Sequence, residues 1–179
     1  MSSVLNPSEV LDKIEIKPAS VAADFGSGSG YFAIELAKRV GDKGKVYAID
    51  VLPTALESVR SLAKMRGLSN IETRWANLEK TSTLELESCD FILIANLFFQ
   101  VSPEHWFTII REINRVLKLD GQVLIIDWKI DSPLGPPKNQ RVSEEKIKER
   151  VNNCLKFIEK LDLSESHWGL IFQKIKNYA

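Results

Sequence analysis

A run of small apolar residues, Ser20 to Phe25, leads into Asp24-Phe25-Gly26-Ser27-Gly28-Ser29-Gly30, and a helical pattern starts at once with Tyr31. Strand, tight glycine turn and helix in direct succession form a ligand-binding arrangement with a physical cause. Glycine admits positive φ and lets a ligand lie against bare backbone, and a helix start offers unpaired N–H donors. The helix shows Ala33, Leu36, Ala37 and Val40 at i, i+3, i+4 and i+7 and is stopped by Gly41. A second strand, Lys45 to Asp50, ends in an acid 24 positions after Gly26. That is close to the spacing at which a carboxylate reaches ribose hydroxyls in a doubly wound fold.

The rest of the chain keeps the same alternation. A short helix over 7–14 is signalled by Asn6-Pro7-Ser8, with Val10, Leu11 and Ile14 as its apolar side. Pro53 to Arg66 reads as a helix stopped by Gly67, and Ile71 to Trp75 and Asp90 to Ala95 read as strands. Ser102-Pro103 opens a helix whose apolar set is Trp106, Ile109, Ile110, Ile113, Val116 and Leu117, with Asp120-Gly121 ending it. Gln122 to Trp128 follows as a fifth strand, and Ser143-Glu144-Glu145 begins another helix. The tail is ambiguous: Ile147, Val151, Cys154, Leu155 and Ile158 fit one long helix, whereas Phe157 to Leu163 also fits a strand. With Ser164-Glu165-Ser166 as a turn and Trp168 to Ile175 as a strand, a hairpin is expected. The pattern predicts an α/β protein, one domain over 1–179 with its core starting at residue 20.

Composition removes several functions. The 24 basic residues balance 24 acidic ones, which disfavours a binder of long nucleic acid. The two cysteines, Cys89 and Cys154, stand far apart and form neither a disulfide scaffold nor a thiolate metal site; no metal is expected. Met1 to Leu5 has no basic or apolar signal region, and the apolar window Phe91 to Phe99 is broken by Asn96 and too short to span a bilayer. A cytoplasmic protein without membrane insertion is expected.

The glycine loop is not a dinucleotide fingerprint, because Tyr31 falls where the third glycine must allow close helix packing, and no Gly-Lys-Ser/Thr P-loop follows the strand. What remains is the E/D-x-G-x-G-x-G form. Here the chain resembles the class I S-adenosylmethionine-dependent methyltransferases over nearly its whole length. Val21 to Gly30 is similar to their first motif, Val46 to Val51 to the acidic second-strand motif, Asp90 to Asn96 to the fourth-strand motif, and Arg115 to Leu124 to the entry into strand five. Within the class it is most similar to the domain shared by ubiquinone/menaquinone C-methyltransferase-like and arsenite-methyltransferase-like proteins.

The resemblance implies a Rossmann-like, mostly parallel seven-stranded sheet in the order 3-2-1-4-5-7-6 with helices on both faces. It also implies S-adenosylmethionine as cofactor. The implied cofactor residues are Asp24, Phe25, Gly26, Ser27, Gly28 and Gly30 of the first motif, Asp50 on the ribose with Val51 beside it, Asn77 and Leu78 at the adenine, and Asn96 at the amino group or the acceptor. Asn77 stands where the family usually has Asp, and the same residue type serves as a plain turn former.

Ligands of open α/β sheets sit beyond the carboxyl ends of the strands, so the acceptor side is expected at Asn96, Asp127 and Trp128, with a structural role favoured for Asp127. Tyr31, Phe98 and Phe99 suit packing as well as cofactor walls, and His105 and His167 read as solvated or structural. Arsenite chemistry is disfavoured by the scarcity of thiolates. A small molecule or a protein side chain remains as acceptor. A cofactor-binding module without turnover and an NAD-dependent oxidoreductase are the competing classes.

Overall fold

The computed structural model describes residues 5–151 and 155–176. Its strands are β1 (Val21–Phe25), β2 (Lys45–Asp50), β3 (Ile71–Trp75), β4 (Cys89–Ala95), β5 (Leu117–Trp128), β6 (Lys156–Asp162) and β7 (His167–Gln173). Its helices are α1 (Pro7–Leu11), α2 (Tyr31–Val40), α3 (Pro53–Met65), α4 (Trp106–Val116) and α5 (Glu144–Val151). The strands form one seven-stranded sheet in the order β3-β2-β1-β4-β5-β7-β6, the order expected. β7 runs antiparallel to both neighbours and every other pair is parallel.

Both faces of the sheet are covered, which is why the central strands read as continuous apolar runs. Along β4 and β5, Ile92, Ile94, Val123 and Ile125 point into one core with α4 and α5, and Phe91, Leu93, Leu124 and Ile126 point into the other with α1 and α2. The apolar stripe of α4 is buried from Trp106 to Val116. The stripe of α2 is buried at Ala33, Leu36, Ala37 and Val40, as its spacing predicts.

At α4 and α1 the boundaries differ from the sequence reading. α4 stops at Val116 rather than running to Asp120-Gly121, because Leu117 turns extended and pairs with Cys89 at the edge of β4. The chain then bulges at Asp120, whose φ is +64°, before Gln122 pairs with Phe91. Pairing across the sheet overrides the local helical pattern there. α1 ends at Leu11, where the bonds Lys13 N–H to Val10 O and Ile14 N–H to Leu11 O tighten the chain out of helical geometry. Ile14 still packs against the core. The tail adopts the hairpin, with β6 and β7 antiparallel, and Cys154 lies outside the described residues.

Candidate active site

The carboxyl ends of β1, β4 and β5 open into a cleft of about 800 Å3, within the range of small-molecule sites. Its lining includes the glycine turn with Asp24, Ser27 and Asn96, and also Phe32, Trp128, Leu134 and His167. The turn is anchored to β2. The amides of Gly26 and Ser27 donate to Ile49 O at 2.8 and 2.9 Å, and the Gly28 amide donates to Asp50 Oδ2 at 2.9 Å. Gly30, with φ of +88°, has no room for a side chain, since a Cβ would lie 2.8 Å from Cγ2 of Val59 on α3. At Gly28 the space beside the backbone is open, so a ligand can approach it closely.

Asp50 is therefore a loop organiser in this structure. Its Oδ2 holds Gly28 and its Oδ1 accepts from the Leu52 amide at 2.9 Å, which welds the end of β2 to the turn. A carboxylate oxygen has two lone pairs, so both oxygens keep accepting capacity for a hydroxyl. The sequence reading credited the turn with free donors; most of its amides are engaged inside the fold.

What the cleft offers instead is acceptors. Asp24 Oδ2, Ser27 Oγ and Asn96 Oδ1 are buried and lack a hydrogen-bond partner among the described residues. Asp24 is 2% exposed, and burial raises its carboxyl to about 7 against the lowering effect of the Ala33 amide, with nearby Asp50 pushing the same way as burial. Asn96 directly follows β4 and holds a left-handed φ of +57°, a conformation that asparagine tolerates. An unpaired carboxyl oxygen and an unpaired amide oxygen lining one cleft suit a cation that carries several N–H donors.

The remaining expected residues are placed as follows. The Phe25 side chain is fully buried in the core beneath the turn, so only its backbone belongs to the site. Val51 is exposed beyond β2, and Trp75 donates its Nε1–H to Val51 O at 2.8 Å. Asn77 Oδ1 accepts from the Glu79 amide at 2.9 Å in an Asx turn, the plain structural alternative for this residue, and Leu78 is buried.

Asp127 is fully buried and accepts from the amides of Trp128 at 2.8 Å and Phe99 at 3.2 Å. Burial raises its carboxyl to about 7. It clamps the segment after β4 to the end of β5 and does not line the cleft.

Sequence reasoning missed His167, Leu134 and the segment Leu5–Pro7, all of which line the cleft. His167 was legible from the topology: an antiparallel β7 brings its first residue to the carboxyl end of β5, and His167 indeed pairs with Trp128. Tyr31 lines the cleft at 62% exposure, whereas Phe98 is buried against Trp106.

Fold and family together define the class, the S-adenosylmethionine-dependent methyltransferases of Rossmann-like architecture. The chain belongs to the methyltransferase domain family, whose model matches residues 22–121. A demethylmenaquinone methyltransferase of Geobacillus kaustophilus is 26% identical over 119 residues, covering 66% of this chain and 50% of that protein. An arsenite methyltransferase of Halobacterium salinarum is 27% identical over 110 residues, covering 62% of this chain and 27% of the relative. The crystal structure of a SAM-dependent methyltransferase from Aquifex aeolicus superposes with a TM-score of 0.87 at 28% identity, covering 96% of this chain and 90% of that one. The chain spans about half the length of the demethylmenaquinone relatives it matches.

Proposed function

We propose that the chain transfers a methyl group from S-adenosylmethionine to a small-molecule acceptor bound at the β5–β7 end of the cleft. The observation that carries this reading is the pair of unpartnered buried acceptors, Asp24 Oδ2 and Asn96 Oδ1, beside a glycine turn that leaves its outer face open at Gly28. The methionine part of the cofactor ends in an ammonium, and these oxygens would accept its protons. Asp50 would hold the ribose with the lone pairs that Gly28 and Leu52 leave free, and Val51 would border the adenine. Asn77 and Leu78 shape the chain at that end.

When bound, the cofactor supplies a methyl already activated on a sulfonium. The protein's part is then alignment and exclusion of water. Asp127 contributes by holding the Phe98–Gln100 turn to the end of β5. Phe32, Trp128 and Leu134 make the acceptor half mainly apolar, which supports a small apolar acceptor over a charged one.

The test has two steps. Calorimetry with S-adenosylhomocysteine should show binding that NAD does not reproduce. Incubation of an extract with methyl-labelled S-adenosylmethionine should then deliver label to the small-molecule fraction. Binding of NAD instead would return the reading to an oxidoreductase, and cofactor binding without any labelled product would make the chain a binding module.

A further inference from the structure

We propose that His167 Nε2 is the atom that recognises the methyl acceptor, by a hydrogen bond to a hydroxyl on an otherwise apolar, planar small molecule. The inference rests on the cofactor reading above and names the acceptor side of the same cleft.

His167 is the first residue of β7, is 2% exposed, and forms part of the cleft wall. Its Nδ1 lies 2.8 Å from Ser166 Oγ, which holds the ring by that nitrogen. Nε2 has no partner. An unpartnered buried ring nitrogen is costly unless something completes it, and a ligand in the cleft is what can reach it. The ring is also held in place, since it lies on the Trp128 indole with centroids 4.0 Å apart and planes tilted by 41°. Trp128 in turn is fixed by its backbone carbonyl, which accepts from Trp168 Nε1 at 3.1 Å.

The surrounding wall selects the rest of the ligand. Phe32, Trp128 and Leu134 supply flat or branched apolar surface, and Gly135 packs so tightly on Trp128 that a Cβ would lie 2.4 Å from the indole. Leu134, beside Gly135 in that loop, lines the same cleft as Trp128 and His167. A hydroxyl suits Nε2 in either tautomer, because it both donates and accepts. Burial, reinforced by the nearby Lys129 charge, lowers the imidazole to about 4, so the ring stays neutral and acts as an orienting partner rather than a cation. An acidic acceptor would find no counter-charge in this ring, and a hydrocarbon would leave Nε2 unpaired.

The experiment uses the full chain with S-adenosylhomocysteine bound, and naphthol and naphthalene as probes. The chain has two histidines, and His105 is on the surface, so isotope-labelled histidine spectra resolve the buried one. Naphthol should shift the His167 Nε2 resonance and naphthalene should not. Naphthol should also bind about 5- to 10-fold more tightly than naphthalene, the worth of one neutral hydrogen bond.

His167→Phe keeps a ring on Trp128 and should abolish that preference. His167→Gln should retain part of it. S-adenosylhomocysteine affinity should be unchanged in both variants, which establishes that they are folded and separates acceptor recognition from cofactor binding. A silent Nε2 resonance, equal affinities for the two probes, no naphthol binding, or a His167→Phe variant that still discriminates would each overturn the assignment. A wild-type chain that binds no S-adenosylhomocysteine would instead overturn the cofactor reading.

Discussion

Asp24→Asn should make the ligand-free protein more stable and the cofactor complex weaker. Asp24 is buried with one oxygen unpartnered, and its carboxyl is raised from 3.8 to about 7. The folded state therefore holds a proton that the unfolded chain releases near pH 4, so stability falls as pH rises from about 4 to about 7. About three pH units at roughly 1.4 kcal/mol each put the full loss near 4 kcal/mol above pH 7.

Asparagine removes the charge but leaves an NH2 without an acceptor, which gives back about 1–3 kcal/mol. The net gain at pH 8 is then about 1–3 kcal/mol, or a Tm higher by roughly 2–10 °C in a chain of this size. At pH 5 most of the gain should vanish, because the wild-type carboxyl is then largely protonated. The same variant should bind S-adenosylhomocysteine about 10- to 100-fold more weakly, since a hydrogen bond to a charged group is worth about 1.5–3 kcal/mol. Scanning fluorimetry at the two pH values and calorimetry at pH 8 read both effects. A variant no more stable than wild type at pH 8, or one that binds with unchanged affinity, would refute the assignment of Asp24 as a strained acceptor waiting for a cation.

Asn77→Leu should lower Tm through loss of the Asx bond to Glu79, worth about 0.5–2 kcal/mol, while cofactor affinity stays within a few-fold; a tenfold loss of affinity at unchanged Tm would return Asn77 to the adenine contact. Glu112 is buried, and although burial opposes ionisation, Arg115 and Ser82 hold its carboxyl down at about 2 from 4.5. Its contribution, up to about 3 kcal/mol, is present above pH 4.5 and lost as pH falls toward 2, so Glu112→Gln should flatten the acid limb of a Tm-against-pH curve. The Arg141 guanidinium donates to the carbonyls of Lys129, Ile130, Ser132, Leu134 and Pro136, and Arg141→Lys, with a single point charge in place of a fork, should raise hydrogen exchange across 129–137. That variant should leave S-adenosylhomocysteine affinity nearly unchanged; protected amides in the loop would show that the arginine is not its fastener.

The parts of the fold legible in the sequence are those whose cause is local. β1, the glycine turn and α2 follow one another in 20 residues, and their bounds fall where the strand pattern, the glycines and the helical stripe place them. The end of α4 was not legible, because Leu117 is as apolar as the residues before it. Only the Cys89 edge of β4, about 28 residues away, makes extended backbone the better partner. α1 shows the same limit on a smaller scale, since Ile14 continues its apolar side although the helix has already tightened and ended.

The candidate site divides along the same line. The glycine turn, Asp24 and Asp50 come from one contiguous stretch and the end of the neighbouring strand, so residue type and spacing suffice to bring them together. The remaining lining residues Leu5–Pro7, Trp128, Leu134 and His167 come from distant parts of the chain, and only the fold brings them together. Asp127 and His167 show how far pattern alone reaches. Asp127, a carboxylate at a strand end, has the address of an acceptor ligand, yet it binds backbone amides and does not line the cleft. His167, with no motif around it, reads as a solvated or structural histidine. What distinguishes it is direction: in a sheet of parallel strands the ligand edge is the carboxyl end, and for the one antiparallel strand that edge is where the chain enters. The first residue of β7 is therefore the position at which a side chain from the distal half of the sheet meets the cleft, and an imidazole with one nitrogen unpaired among the described residues is what stands there.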